Sequence, residues 1–390
     1  MLKLAQRGFL GVFLVFSLLL GLLLLVLGNF VLADSESLVP LTDLGEGTYY
    51  GYGGGLYPEG QNAMPQAHLD AGLALSQQVV PRDGDGQQSA SGKVVLLSIG
   101  MSNTNMEFEQ FRKSASNDST LNPALVVVNG AQGGMTAAKI QNPNDNASGT
   151  QYWAYVDQKL TAAGVTRMQV QAAWLKEADS GPSGSPITYA QKLQQEQVAI
   201  AQVLGERFPN LKLLYFSSRI YGGYATTQLN PEPYAYVSGF SVKWLIEAQI
   251  NGNSDLNYDL DIGAVKAPWM AWGPYLWANG TSPRSDGLTW IPSDVTTSDG
   301  THPSAQGSVK VADMLMSFFE SDSTTQSWFL KTDPTDPTPA STASPPSPTP
   351  TATAAVPEFP NAIIIMILTA ILALAVLVRK HNRLKSMCLV

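Results

Sequence analysis

Val94-Val95-Leu96-Leu97-Ser98-Ile99-Gly100-Met101-Ser102-Asn103 is the stretch on which the reading of this chain turns. Residues 94–98 form a short apolar run of strand length. Gly100-Met101-Ser102-Asn103 then leads out of it toward a helical pattern. A serine on such a strand-to-helix turn is, taken alone, a favoured helix cap. With a base in reach it becomes a nucleophile. The chain has three histidines, His68, His302 and His381. His381 lies beyond a terminal apolar segment, so His302 has little competition as that base. It stands in Ser298-Asp299-Gly300-Thr301-His302-Pro303-Ser304, just before another helical pattern. Asp-x-x-His supplies a base and its orienting carboxylate from one short turn. Taken alone, Asp299-Gly300 also reads as an ordinary turn.

Working outward, residues 125–129, 168–173 and 211–217 are further strand-like runs, and 267–272 is a weaker fifth. Helical patterns separate them. In 189–207, Leu193, Ile200 and Leu204 share one face, with Gln197 the polar exception. In 306–319, Val309, Ala312, Met316 and Phe319 fall on one side. Strands alternating with crossovers of this length predict an α/β fold. It is a three-layer, flavodoxin-like sandwich with a central parallel sheet of about five strands. Ligands in such sheets bind at the carboxyl ends of the strands. That end collects Ser102, the loop Asn129-Gly130-Ala131-Gln132-Gly133-Gly134, the segment Trp174-Leu175-Lys176-Glu177-Ala178-Asp179, the pair Arg219 and Tyr221, and the Asp299/His302 turn.

These residues resemble the SGNH, or GDSL-type, hydrolase family over about residues 93–319. Its first block, Gly-Asp-Ser-Leu after a strand, is matched by Gly100-Met101-Ser102-Asn103, with methionine for aspartate. Its second, an Asn and a Gly after the next strand, is matched between Asn129 and Gly134. Its last, Asp-x-x-His-Pro, is matched in full by Asp299 to Pro303. The third block departs. The family has Gly-x-Asn-Asp, whose Asn donates to the oxyanion, and residues 173–179 hold no Asn. That segment loosely resembles the Trp-x-Gln-Gly-Glu-x-Asp version of carbohydrate acetylesterases, less one glycine. The resemblance implies acyl transfer with Ser102 as nucleophile, His302 as base and Asp299 orienting the imidazole. The backbone N–H groups of Ser102 and Gly134 would meet the oxyanion. Lys176 is the candidate substitute for the absent Asn. It is also readable, with Glu177 and Asp179, as a solvated charge cluster. No metal or cofactor is implied.

Pro268-Trp269-Met270-Ala271-Trp272-Gly273-Pro274-Tyr275-Leu276-Trp277 is the densest aromatic stretch. Trp269 and Trp272 read as core. Tyr275 and Trp277, placed in the loop that follows, read as stacking surfaces for a sugar. They join Arg219 and Tyr221 as candidate substrate contacts, although Arg219 reads equally as a salt-bridge partner. An acylated glycan or a small ester is the expected substrate. The alternative is an inactive surface-binding module on the same fold. His68 reads as structural or as a rim residue. Tyr49, Tyr50, Tyr52 and Tyr57 suggest an N-terminal segment lying across the domain.

The ends bound the setting. Residues 9–27 are apolar behind Lys3 and Arg7, and Val31-Leu32-Ala33 offers a cleavage site, so 1–33 reads as a signal peptide or N-terminal anchor. Residues 34–90 read as an extension packing on the hydrolase-like domain of 91–330. Residues 331–356, rich in Thr, Pro, Ser and Ala, read as a stalk. Pro357-Glu358-Phe359, an apolar run over 362–378 of spanning length and a basic tail complete 357–390. This end resembles the sorting signals of archaeal surface proteins and predicts a cell-surface, membrane-anchored protein. Six of the 23 Lys and Arg residues lie in the two end segments, so the part between is more acidic than the whole chain's net charge of −8. That argues against nucleic acid as a partner. The one cysteine, Cys388, lies in the tail, which leaves the exported part without disulfide, thiolate nucleophile or cysteine metal site.

Overall fold

The computed structural model describes residues 38–331. The expected N-terminal signal segment, the stalk, the Pro-Glu-Phe motif and the C-terminal apolar helix lie outside them. Among the described residues no helix is long and apolar enough to cross a membrane.

The strands in chain order are β1 (Thr48–Tyr49), β2 (Tyr52–Gly53), β3 (Val94–Gly100), β4 (Leu125–Asn129), β5 (Val170–Lys176), β6 (Leu213–Phe216) and β7 (Trp269–Trp272). The α-helices among the described residues are α1 (Leu41–Leu44), α2 (Gln66–Ser76), α3 (Ser102–Ser116), α4 (Ala137–Ile140), α5 (Ser148–Ala162), α6 (Pro186–Arg207), α7 (Tyr234–Ile250), α8 (Ala305–Ser321) and α9 (Gln326–Phe329). β1 and β2 form a small antiparallel pair. The other five strands form one parallel sheet in the order β4-β3-β5-β6-β7. This is the flavodoxin-like order, with the chain reversing direction of travel at β3.

Side chains alternate across the sheet, as the strand repeat of two requires. Val95, Leu97 and Ile99 of β3 join the apolar layer that includes α5, α6 and α7. Val94 and Leu96 join the layer that includes α3 and α8. Both faces are covered, so every residue of β3 and β5 is buried, the polar Ser98, Gln171 and Lys176 among them. The α6 stripe is buried as expected, and Gln197 is buried with it. In α8 the buried stripe is Val311, Ala312, Leu315 and Phe319, while Val309 is 45% exposed. The expected face was rotated because Val309 and Met316 flank the stripe rather than lie on it.

The largest difference concerns the third strand of the sheet, expected at 168–173. Thr166 caps a short 3-10 turn at Arg167–Gln169, accepting from the Met168 N–H, and this delays the strand. β5 then continues through Lys176, because Trp174, Leu175 and Lys176 pair in register with Ser98, Ile99 and Gly100.

The chain before the sheet crosses the α7 face. Leu41 is fully buried and donates its N–H to the Tyr275 hydroxyl. Tyr49 meets Tyr236 with ring centroids 5.0 Å apart, and Tyr52 meets Trp244 at 4.8 Å. His68 is structural. It is buried, its Nε2 lies 2.8 Å from the Met270 carbonyl, and its ring stacks on Trp269.

Candidate active site

Ser102 begins α3 directly beyond the carboxyl end of β3, and Met101 holds the cap position before it. Met101 makes no side-chain capping bond, and the serine side chain turns to the histidine instead. Its Oγ lies 2.7 Å from His302 Nε2. His302 Nδ1 lies 2.6 Å from Asp299 Oδ2. A carboxylate only accepts, which places the ring proton on Nδ1 and leaves Nε2 free to accept from the Ser102 hydroxyl. Partial burial pushes the Asp299 carboxyl up. Hydrogen bonds from the His302 N–H and imidazole, the Thr301 N–H and the Thr296 hydroxyl outweigh it and hold the group well below the usual carboxylate range. Asp299 is therefore an anion wherever the protein is folded near neutrality.

The turn carrying Asp299 and His302 is fixed from several sides. Thr296 N–H donates to the His302 carbonyl at 2.8 Å, and Gly300 N–H donates to Thr296. Thr226 N–H, from the segment after β6, donates to the Asp299 carbonyl at 2.9 Å. Ser304 caps α8 by accepting from Gly307 N–H, which starts the helix directly behind the turn. Asn103 Nδ2 donates to the Thr301 carbonyl at 2.8 Å. Sequence reasoning gave no role to Asn103, Thr226 or Thr296. Their partners depend on the fold, except that Thr296 stands three residues before Asp299.

The loop after β4 lies beside the serine. A side chain at Gly133 would come within 3.8 Å of the Ser102 Cβ. Gly134 has φ +76, a conformation that glycine adopts without steric cost. Neither Gly133 nor Gly134 donates its N–H to a backbone carbonyl among the described residues. Asn129 holds the base of this loop. Its Oδ1 accepts from Ser98 Oγ and Ala131 N–H, and its Nδ2 donates to Asn105.

Other expected contacts are corrected. Lys176 is not an oxyanion donor or a solvated charge. It is 1% exposed on the α3 side of the sheet, and its Nζ donates to Glu107 Oε1 at 2.6 Å. Burial pulls its ammonium down to about 8, against the opposing pull of Glu107. Glu177 and Asp179 are buried too. Burial pushes the Glu177 carboxyl well up, while Asp179 accepts from the Ala138 N–H at the start of α4. Arg219 is 2% exposed, so it belongs to the floor beneath the rim rather than to an open cleft. Among the described residues it makes no ion pair within 4.0 Å, although Glu107, Glu177 and Glu232 act on it electrostatically.

Tyr275 and Trp277 are not surface rings. Tyr275 is 4% exposed, with Arg284 over its face, and Trp277 is fully buried and donates Nε1–H to Glu232 at 2.7 Å. The segment after β7 is a loop, as expected, but it runs through the core instead of out to solvent, and Leu276 and Ala278 are fully buried with them. Tyr221 alone of the four is partly open. It meets Tyr224 edge-on at 5.0 Å. The Tyr224 carbonyl in turn presses on Gly300 of the Asp299/His302 turn.

No family model matches this chain. No curated protein matches it either. Among solved structures it is similar to a lipase from a goat rumen metagenome, at 10% identity over 58% of this chain and 97% of that one, with a TM-score of 0.33. A putative acylhydrolase from Bacteroides fragilis is 12% identical over 65% and 96%, with a TM-score of 0.34. The periplasmic domain of a lipopolysaccharide acetyltransferase from Salmonella ser. Paratyphi A is 12% identical over 65% and 94%, with a TM-score of 0.30. At identities and scores this low the likeness assigns neither family nor activity.

Proposed function

We propose that this protein is a serine ester hydrolase of the SGNH type. The observation that carries the reading is the unbroken chain from Ser102 Oγ through the His302 imidazole to Asp299, with separations of 2.7 and 2.6 Å. In this reading Ser102 attacks the ester carbonyl while His302 takes its proton. The tetrahedral oxyanion is met by the N–H groups of Ser102 and Gly134, and the helix N-terminus adds a favourable field. His302 returns the proton to the leaving alcohol, and water then releases the acid by the same route. The Tyr221–Tyr224 pair beside the turn supports an acylated carbohydrate as substrate, in place of the buried Tyr275 and Trp277. The apolar segments at both ends support an exported, membrane-anchored placement.

A non-catalytic surface module is the second reading. It is favoured by the third block, where no Asn is present and Lys176 is engaged by Glu107. One lost oxyanion donor costs roughly 3 kcal/mol of transition-state stabilisation.

The test measures acetate release from an aryl acetate and from an acetylated oligosaccharide by the full-length chain. Ser102→Ala and His302→Ala should each lower turnover by more than about 10³-fold, and the double variant should be scarcely worse. Asp299→Asn should keep the fold and lose most of the activity. A folded parent that binds glycan but hydrolyses no ester would leave the surface module as the better account.

A further inference from the structure

Asn103 touches no reacting atom, yet it is built into the same contact as the nucleophile. Its side chain is 2% exposed at the start of α3. It donates through Nδ2 to the Thr301 carbonyl, 198 residues away in sequence and 2.8 Å away in space. Thr301 is also 2% exposed, and its N–H donates to Asp299 Oδ1 at 2.8 Å. The backbone of that one residue is therefore held at both poles, by the orienting carboxylate on one side and by the neighbour of the nucleophile on the other.

We infer that Asn103 is a positioning residue that sets the relation of His302 to Ser102; this rests on the hydrolase reading above. The geometry is a two-point dock. Adjacent residues on the helix, Ser102 and Asn103, meet adjacent residues on the turn, His302 and Thr301. Neighbouring Cα atoms are about 3.8 Å apart, so the two bonds form a short parallel pair. One bond alone leaves the turn free to pivot about the Oγ–Nε2 axis, and the second removes that freedom. Among the described residues no other side-chain hydrogen bond joins α3 to the turn. The packing of α8 on α3 sets how near the turn comes to the nucleophile, and the turn's other backbone ties, to Thr226 and within 294–304, do not reach α3, so its local orientation there falls to this pair of bonds. A displacement of about 1 Å in a reacting group lowers rates by roughly 10²-fold, so the tether acts on turnover more than on binding.

The experiment compares the full chain with Asn103→Ala and with Asn103→Leu, which keeps the branched outline of the side chain and removes its amide. On an aryl acetate, both variants should lose about 10- to 100-fold in kcat with KM within about threefold of the parent. In an Asp299→Asn background, Asn103→Ala should cost less than about threefold more, because the orientation it protects is already lost. A far-downfield proton resonance from His302 Nδ1–H should be seen in the parent and should broaden or vanish in Asn103→Leu. Unchanged kcat in folded variants, full additivity in the double variant, or failure of both variants to fold would each overturn the assignment. The last outcome would make Asn103 a folding residue. A folded parent without esterase activity removes the hydrolase reading and this role with it, and is told apart because it appears before any variant is made.

Discussion

Gly300 shows how narrowly the Asp299/His302 turn is drawn. Its φ is +64, and a Cβ there would lie 1.8 Å from the Tyr224 carbonyl oxygen. Gly300→Ala should therefore lower stability by more than the roughly 1–2 kcal/mol that a left-handed conformation costs alone. It should also reduce ester turnover more than tenfold, because relief of the clash must move Asp299 or His302. Thermal melts and kcat on an aryl acetate check the two effects. Ser102, Asp299 and His302 were legible in the sequence because Asp-x-x-His is a local device and histidines are few. Asn103 was not, because its meaning depends on an acceptor 198 residues on. Tyr275 and Trp277 were misread for a different reason. A Gly-Pro pair before them signals a turn, but a turn can lead back into a core as readily as out to water.

At the scale of the element, α3 is tied to the sheet by a charge pair beneath Ser102. Glu107 is fully buried and Lys176 is 1% exposed, so neither charge has water in place of its partner. Lys176→Met leaves the Glu107 carboxylate unpaired and should cost about 3–5 kcal/mol. Glu107→Leu combined with Lys176→Met should recover most of that loss, since an apolar pair of similar volume can match a buried ion pair. Denaturant melts of the single and double variants read the difference. Turnover per folded molecule should change far less than stability, the reverse of what an oxyanion role for Lys176 requires. The strands and long helices were legible from apolar spacing. The burial of Lys176, Glu177 and Asp179 was not, because charged residues at a strand end look the same whether the chain leaves the sheet there or runs on through it.

For the molecule as a whole, acidity is concentrated inside as well as outside. Burial pushes the Glu196 carboxyl on α6 up to about 7, from an ordinary 4.5, despite the hydrogen bond from Lys192. Between these values the folded protein keeps a proton that the unfolded chain has released. Stability should fall as pH rises through this window and stay lower above it. Glu196→Gln should stabilise the protein at pH 8 by roughly 1–3 kcal/mol and change little at pH 4. Melts at the two pH values test the sign. The sequence disclosed the layered architecture because its strands are buried on both faces, but not which carboxyls the layers enclose. The span of the candidate site has one further consequence. Its serine and histidine are 200 residues apart, and about two thirds of the described chain separates the two halves. A polypeptide made from its N-terminus completes the serine-bearing helix long before the histidine exists. No growing or truncated chain that stops short of residue 302 can hold the assembled triad. Hydrolysis, in the function proposed here, would thus begin only at the end of folding, and its first appearance would time the closing of the domain.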